Sequence, residues 1–271
     1  MRHPAVAGRF YSSDKEGLLA EIEASFTHRL GPGLPSGVGN SRKISAAVCP
    51  HAGYMASGMN AAHAYRRIAE DGLPEAYVII GPDHRGVPFD IVMCGEDHLT
   101  PLGPCRVHEE IADALGRRIP DSPAAHRLEH SIEVQIPFIQ YIDPDPRIIP
   151  IIMGDQSRRS AKRLASILRE VCEGHDVIAI ASSDMSHYVP KDAAERLNRP
   201  ILEKLEQMDA EGMYAEAERT KASVCGLGPM AAALLFAEPS KVEVLKYSDS
   251  FDSTGYDRNS VVGYASAVMY K

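Results

Sequence analysis

The sequence has no uninterrupted apolar run approaching the roughly 20 residues that a membrane-spanning helix needs. Its amino terminus, Met1-Arg2-His3-Pro4, lacks the apolar core of a secretory signal. A cytoplasmic address is therefore the expectation. There is no dense basic tract: the basic clusters are short pairs such as Arg158-Arg159, and the formal net charge is −8. Phosphate backbones need clustered Lys and Arg, so a nucleic-acid surface is excluded, and acidic partners in general are disfavoured. Cysteine is sparse, with five residues, widely spaced and without a CxxC pair. An odd number so placed speaks against a disulfide framework or a structural zinc knuckle and leaves at least one thiol free. No fixed-period repeat, low-complexity tract or composition break marks a linker.

What remains is a chain of 271 residues, 44% hydrophobic and 24% charged, enough for one α/β domain spanning 1–271 with a buried core. Leu18, Leu19, Ile22 and Phe26 recur at helical spacing behind the capping residues Ser13 and Asp14, which predicts a helix over about 13–30. After a Gly/Pro/Ser loop, the run 44–49 reads as a buried strand that opens into Pro50-His51-Ala52-Gly53-Tyr54, followed by a helix over 56–69. The same grammar returns: strand 76–80 runs into Gly81-Pro82-Asp83-His84, and strand 176–181 runs into Ser182-Ser183-Asp184-Met185-Ser186-His187. Between them lie strand 147–153 and helix 157–172. Strand alternating with helix predicts a central, largely parallel sheet with helices on both faces. The segments 241–248 and 260–270 alternate as two antiparallel strands joined by an Asp/Ser/Gly loop, which makes the expected sheet mixed.

In open α/β sheets, ligands bind beyond the carboxyl ends of the strands, so residues far apart in sequence converge there. His51, His84 and His187 all follow strand ends. Cys225 precedes an apolar helix, 230–236, and a helix amino terminus favours the thiolate. Two imidazoles and one anionic side chain on one face of a metal is the arrangement of non-haem Fe(II) enzymes, and a thiolate in the anionic place equally suits zinc or Cu(I). A single histidine at a strand end is ordinarily a polar loop residue, and a single cysteine ordinarily a buried small one; three similar histidine-bearing strand ends together carry the site reading. His3, His28, His63, His98, His108, His126 and His175 are read as structural or surface residues, Cys49 and Cys94 as core, and Cys105 and Cys172 as without partners.

Six blocks in order call up a family: Pro4-Ala5-Val6-Ala7-Gly8-Arg9-Phe10-Tyr11, Pro50-His51-Ala52-Gly53-Tyr54, Gly81-Pro82-Asp83-His84, Glu129-His130-Ser131-Ile132-Glu133, Ser182-Ser183-Asp184-Met185-Ser186-His187-Tyr188 and Cys225-Gly226. Together they resemble the Memo family, including its AmmeMemoRadiSam system protein B type, across nearly the whole chain. That family is similar to class III extradiol (LigB-like) dioxygenases, which open catechol rings with Fe(II) and O₂ on an α/β fold. The resemblance implies metal ligation by His51, His84 and Cys225, with Asp184 and His187 beside the metal and His130 lining the cleft. It departs in two places. A glutamate stands in the dioxygenases where Cys225 stands here, which bears on ring cleavage itself, and Ser12 replaces the usual proline of the opening motif.

The mechanism so implied has Fe(II), with Cu or Zn as the other metals, meeting a small-molecule vicinal diol of unknown identity. His187 removes its proton, Asp184 fixes a histidine tautomer, and His130 contacts the oxygen species with Glu133, at i+3, orienting it. The alternatives are a zinc hydrolase and a non-catalytic module that captures a peptide or small molecule. The human relative's signalling with phosphotyrosine peptides suggests the latter, although the acidic charge and absent Arg cluster oppose phosphopeptide capture here. The resemblance also implies radical-SAM and AMMECR-type proteins as partners in a shared pathway.

Overall fold

The computed structural model describes residues 1–271. Ten strands form one sheet: β1 (Ile44–Cys49), β2 (Ala76–Pro82), β3 (Ile91–Met93), β4 (His98–Thr100), β5 (Gly103–Val107), β6 (Arg147–Met153), β7 (Val177–Ser182), β8 (His187–Val189), β9 (Lys241–Asp249) and β10 (Val261–Tyr270). The path runs β4-β5-β6-β2-β7-β1-β10-β8, with β3 on β6 and β9 on β10. From β5 to β1 the neighbours are parallel, and every pairing at the margins is antiparallel. β2 and β7 are buried at every position, as strands covered on both faces must be, and their sequences are accordingly continuous apolar runs rather than alternating ones.

The helices are α1 (Lys15–Thr27), α2 (Tyr54–Asp71), α3 (Glu109–Gly116), α4 (Pro123–His126), α5 (Ile136–Ile142), α6 (Arg158–Val171), α7 (Lys191–Glu206), α8 (Ala210–Thr220), α9 (Leu227–Ala237) and α10 (Ser250–Thr254). α2 packs on β1, β9 and β10 together with α1 and α5, while α9 packs on β7, β1 and β2 together with α6. Asp14 caps α1 by accepting the Gly17 N–H at 2.8 Å, and Ser157 caps α6 by accepting from Ser160, each satisfying a donor with no partner inside the helix.

The mixed sheet with a parallel centre is the one the sequence predicts. Three segments differ in detail. The loop expected between β9 and β10 contains α10, nucleated by a capping box in which Asp249 and Asp252 bond each other's backbone N–H. The short strands β3 to β5 and the helices α3, α7 and α8 are not among the elements the sequence predicts; α7 runs through Pro200 and buries Ala194, Asn198, Ile201, Leu202 and Leu205 along one face.

The register brings three strand ends level. Cys49 of β1 lies opposite Ser182 of β7, and Ile80 of β2 opposite Ala181. The segments leaving these three strands therefore emerge side by side at one end of the sheet.

Candidate metal centre

His51 leaves β1 two residues past its end, and its backbone N–H donates to Asp184 Oδ1 at 2.8 Å, pinning the turn beyond β1 to the one beyond β7. Its ring is buried. Nδ1 lies 2.9 Å from Ser182 Oγ, and that hydroxyl gives its single hydrogen to the Ser131 carbonyl at 2.6 Å while accepting from Gln135 Nε2 at 2.7 Å. The oxygen has no second hydrogen to offer, so His51 Nδ1 carries the proton and Nε2 is bare. Nε2 points to Cys225 Sγ, 3.2 Å away.

His84 is fixed by a different acceptor. Glu129, 2% exposed, accepts the His84 backbone N–H at 2.7 Å, the His84 Nδ1–H at 3.0 Å, and the backbone N–H groups of His130 and Ser131 at 2.8 Å each. Burial alone raises the carboxyl, but these hydrogen bonds outweigh it and hold Glu129 below the usual carboxylate range. An ionised acceptor on Nδ1 leaves His84 Nε2 as its free lone pair. A carboxylate behind an imidazole is the usual outer support of a metal-binding histidine.

Cys225 sits in the connection before α9, and a close approach of Gly226 puts it there. A Cβ at residue 226 would meet the Ser182 carbonyl oxygen at 2.4 Å and Ser183 Cβ at 2.6 Å, so only glycine fits. Gly226 N–H donates to Ser183 Oγ at 3.0 Å, and Gln156 clasps the loop, donating to the Cys225 carbonyl at 2.7 Å and accepting from Gly228 at 3.0 Å. The thiol accepts the Asp184 backbone N–H at 3.1 Å. Burial first, then the Asp184 charge, pushes the thiol well above its ordinary value. This departs from the expectation of a thiolate from the helix amino terminus: Cys225 is partly buried, and the loss of water around its sulfur outweighs the helix contribution. Burial, with His130 and His84 next, holds His51 well below the ordinary imidazole value. The pair is therefore neutral thiol against neutral imidazole, rather than the thiolate–imidazolium of a cysteine nucleophile.

One ligand atom from each of His51, His84 and Cys225 lies within 4.8 Å of the others. Two bare imidazole nitrogens and a thiol whose proton faces one of them make a donor set that fits a borderline or soft transition metal, which binds by displacing that proton. A second grouping, His84, Glu129 and His130, shares His84, and its Glu129 and His84 Nδ1 are already committed to each other.

The other expected residues surround this set. His130 stacks near the pair, its ring centroid 4.6 Å from His84, 5.5 Å from His51 and 4.9 Å from Phe10. Its Nδ1 is buried without a hydrogen bond, 3.4 Å from Glu129 Oε1, and burial above all pushes its pKa down to about 4. His187 is half-buried and is not part of the His51, His84 and Cys225 grouping. Its Nδ1–H donates to the Ser223 carbonyl at 3.0 Å and its backbone N–H to Ser223 Oγ at 2.9 Å, so its Nε2 is bare. Asp184 bonds the His51 backbone, not an imidazole; Ser182 and Glu129 take the tautomer-fixing role expected of it. Glu133 does not orient His130. It forms a buried ion pair with Arg2 and accepts from Ala5 N–H at 2.8 Å, Val6 N–H at 3.0 Å and Tyr11 Oη at 2.5 Å, tying the amino-terminal segment across the site.

The sequence alone assigns no role to Glu129, Ser182 or Gln156. Glu129 carried the one available signal, a carboxylate beside a histidine within a recognised block. The other two act through contacts that no local pattern reports.

The chain is similar to known proteins over nearly its whole length. Residues 2–268 match the profile of the Memo family, described as Memo-like protein. A MEMO1 family protein of Methanothermobacter thermautotrophicus is 42% identical, covering 98% of this chain and 99% of its own. One of Caldivirga maquilingensis is 40% identical, covering 100% and 99%, and one of Methanopyrus kandleri is 41% identical, covering 99% and 98%. Among solved structures, an uncharacterized protein of Escherichia coli K12 superposes with a TM-score of 0.51 at 14% identity, covering 84% of this chain and all of that one, a likeness of fold alone. On the match across nearly its whole length, this chain belongs to the Memo family.

Proposed function

We propose that this chain is a metal-dependent oxidoreductase related to the class III extradiol dioxygenases, with iron held by His51, His84 and Cys225. The observation that carries the reading is the pair of imidazoles whose Nδ1 atoms are tied back to Ser182 and Glu129, leaving two bare Nε2 atoms beside one thiol. Iron(II), when bound there, supplies one-electron chemistry with dioxygen and Lewis acidity toward a vicinal diol.

The chain's own residues supply the rest. His187 takes a proton from the substrate hydroxyl onto Nε2, while its Nδ1–H stays on the Ser223 carbonyl and keeps the ring oriented. His130 makes no side-chain hydrogen bond and offers its imidazole to a polar atom of the substrate. Glu129 remains ionised and fixes His84. Tyr188, 77% exposed, stands edge-on to His187 with ring centroids 5.8 Å apart. Tyr188 holds a left-handed φ of +57°, a conformation costing on the order of 1 kcal/mol that concentrates at functional sites.

The test is oxygen uptake by protein reconstituted anaerobically with Fe(II), against a panel of catechols, beside His187→Ala. Uptake coupled to diol consumption, lowered about 10²–10⁴-fold in kcat by the substitution with iron still bound, supports the reading. Ester or amide turnover by the zinc form, with no oxygen uptake, would replace it with a hydrolase. Ligand capture undiminished in Cys225→Ser, without turnover of either kind, would leave a binding module.

A further inference from the structure

The opposite end of the sheet holds a second gathering of ligating side chains. Glu75 directly precedes β2, His175 precedes β7 by two residues, and His108 caps α3 just after β5. Ala76 pairs with Val177, while Tyr77 and Val107 both lie opposite Ile148, so three connections far apart in sequence meet at one level. Glu75 Oε1 receives His108 Nε2 and His175 Nδ1, each at 2.9 Å. The two rings stand edge to face, 5.2 Å apart, and their side chains are only 14% and 17% exposed.

We propose that Glu75, His108 and His175 form a second divalent-cation site, of the zinc class, which staples these three connections together. One ligand atom from each lies within 4.8 Å of the others, and two imidazoles with one carboxylate are a donor set zinc takes with a position left for water. The cluster opens into a cavity of about 540 Å³ that also carries Asp97, Glu109 and Glu110. Its carboxylates outnumber its two guanidiniums, Arg106 and Arg147, and Arg147 is already bound to Asp145 at 2.7 Å. The local field therefore favours a cation.

The outer shell is prepared on one side. When His175 ligates through Nδ1, its hydrogen resides on Nε2, and Glu110 Oε1 waits 3.9 Å from that nitrogen. On the other side, ligation through His108 Nε2 gives up the long 3.4 Å contact from Ile111 N–H to Nδ1, a bond near the limit of useful length. The cluster shares no residue with the centre at the carboxyl end and stands whether or not that centre is redox-active.

Cobalt(II) titration of the metal-stripped full chain separates the two sites, because thiolate ligation through Cys225 gives a charge-transfer band that a nitrogen and oxygen site lacks. The His51→Ala/Cys225→Ser variant is expected to retain one Co(II) equivalent with ligand-field bands and no charge-transfer band. Adding Glu75→Gln or His175→Gln is expected to abolish it, and Glu110→Gln to weaken it by about tenfold. In the wild-type background, His175→Gln is expected to keep the charge-transfer band. Circular dichroism of the metal-free variants establishes that they fold. No Co(II) bound by the double variant, or Co(II) bound undiminished after Glu75→Gln and His175→Gln, overturns the proposal.

Discussion

Both ends of the sheet bring histidines to a glutamate, and they use it differently. At the carboxyl end Glu129 is 2% exposed, accepts three backbone N–H groups as well as one imidazole, and leaves the far nitrogen of that imidazole bare. At the amino end Glu75 is 43% exposed at its side chain and receives two imidazoles on one oxygen. The first arrangement fixes rings in advance of a ligand, at the cost of burying charge; the second holds its rings by a contact that solvent screens.

The largest effect is expected from acid, acting through the buried histidines. Burial holds His51 well below its ordinary pKa, His98 at about 3, and His126 and His130 at about 4. In the unfolded chain each titrates near 6.5, so between about pH 6.5 and 4 the unfolded state takes up protons that the folded state refuses. Stability is present above that window and is lost as pH falls through it. Asp184, raised by burial, acts in the opposite sense and offsets part of one such proton. Urea unfolding at pH 7, 6 and 5 is expected to show a falling midpoint; a level midpoint would mean that these rings reach water in the folded state.

Next in size, Glu133→Gln strands the buried Arg2 guanidinium, and a loss of about 3–5 kcal/mol is expected from denaturant unfolding. A change under 1 kcal/mol would show that the amino-terminal segment is not anchored there. Glu129→Gln is expected to weaken metal binding at the carboxyl end by about 10–100-fold, read by chelator competition, while leaving the amino end unaffected. Because Cys225 enters as a thiol, apparent affinity there is expected to rise about tenfold per pH unit near neutrality; pH-independent affinity would mean the sulfur is already a thiolate. The smallest effect is expected from Glu75→Gln without metal, less than about 1 kcal/mol, since that carboxylate is well solvated.

The frame of the carboxyl end was legible because it rests on short-range signals. Apolar runs end abruptly at Pro50, Gly81 and Ser182, and buried parallel strands leave that pattern. What escaped was set by long-range contacts. Glu133 stands three residues after His130, a spacing that suggests a helical pair. Yet only a 3₁₀ turn spans Glu133–Gln135, and the side chain turns instead to Arg2 and the backbone of residues 5 and 6. The ionisation of Cys225 escaped for a similar reason: a helix start is visible in sequence, whereas the depth at which the sulfur lies is a property of the packed fold. His108 and His175 read as isolated polar residues, since nothing local links them to each other or to Glu75.

The central claim is a metal centre on His51, His84 and Cys225, and elemental analysis of anaerobically purified protein tests it most directly, wild type beside His51→Ala and Cys225→Ser. The account predicts near-stoichiometric iron in the wild type and its loss in both variants. No metal in any of the three after anaerobic reconstitution with Fe(II), Zn(II) and Cu(I), or the same content in all three, would contradict it.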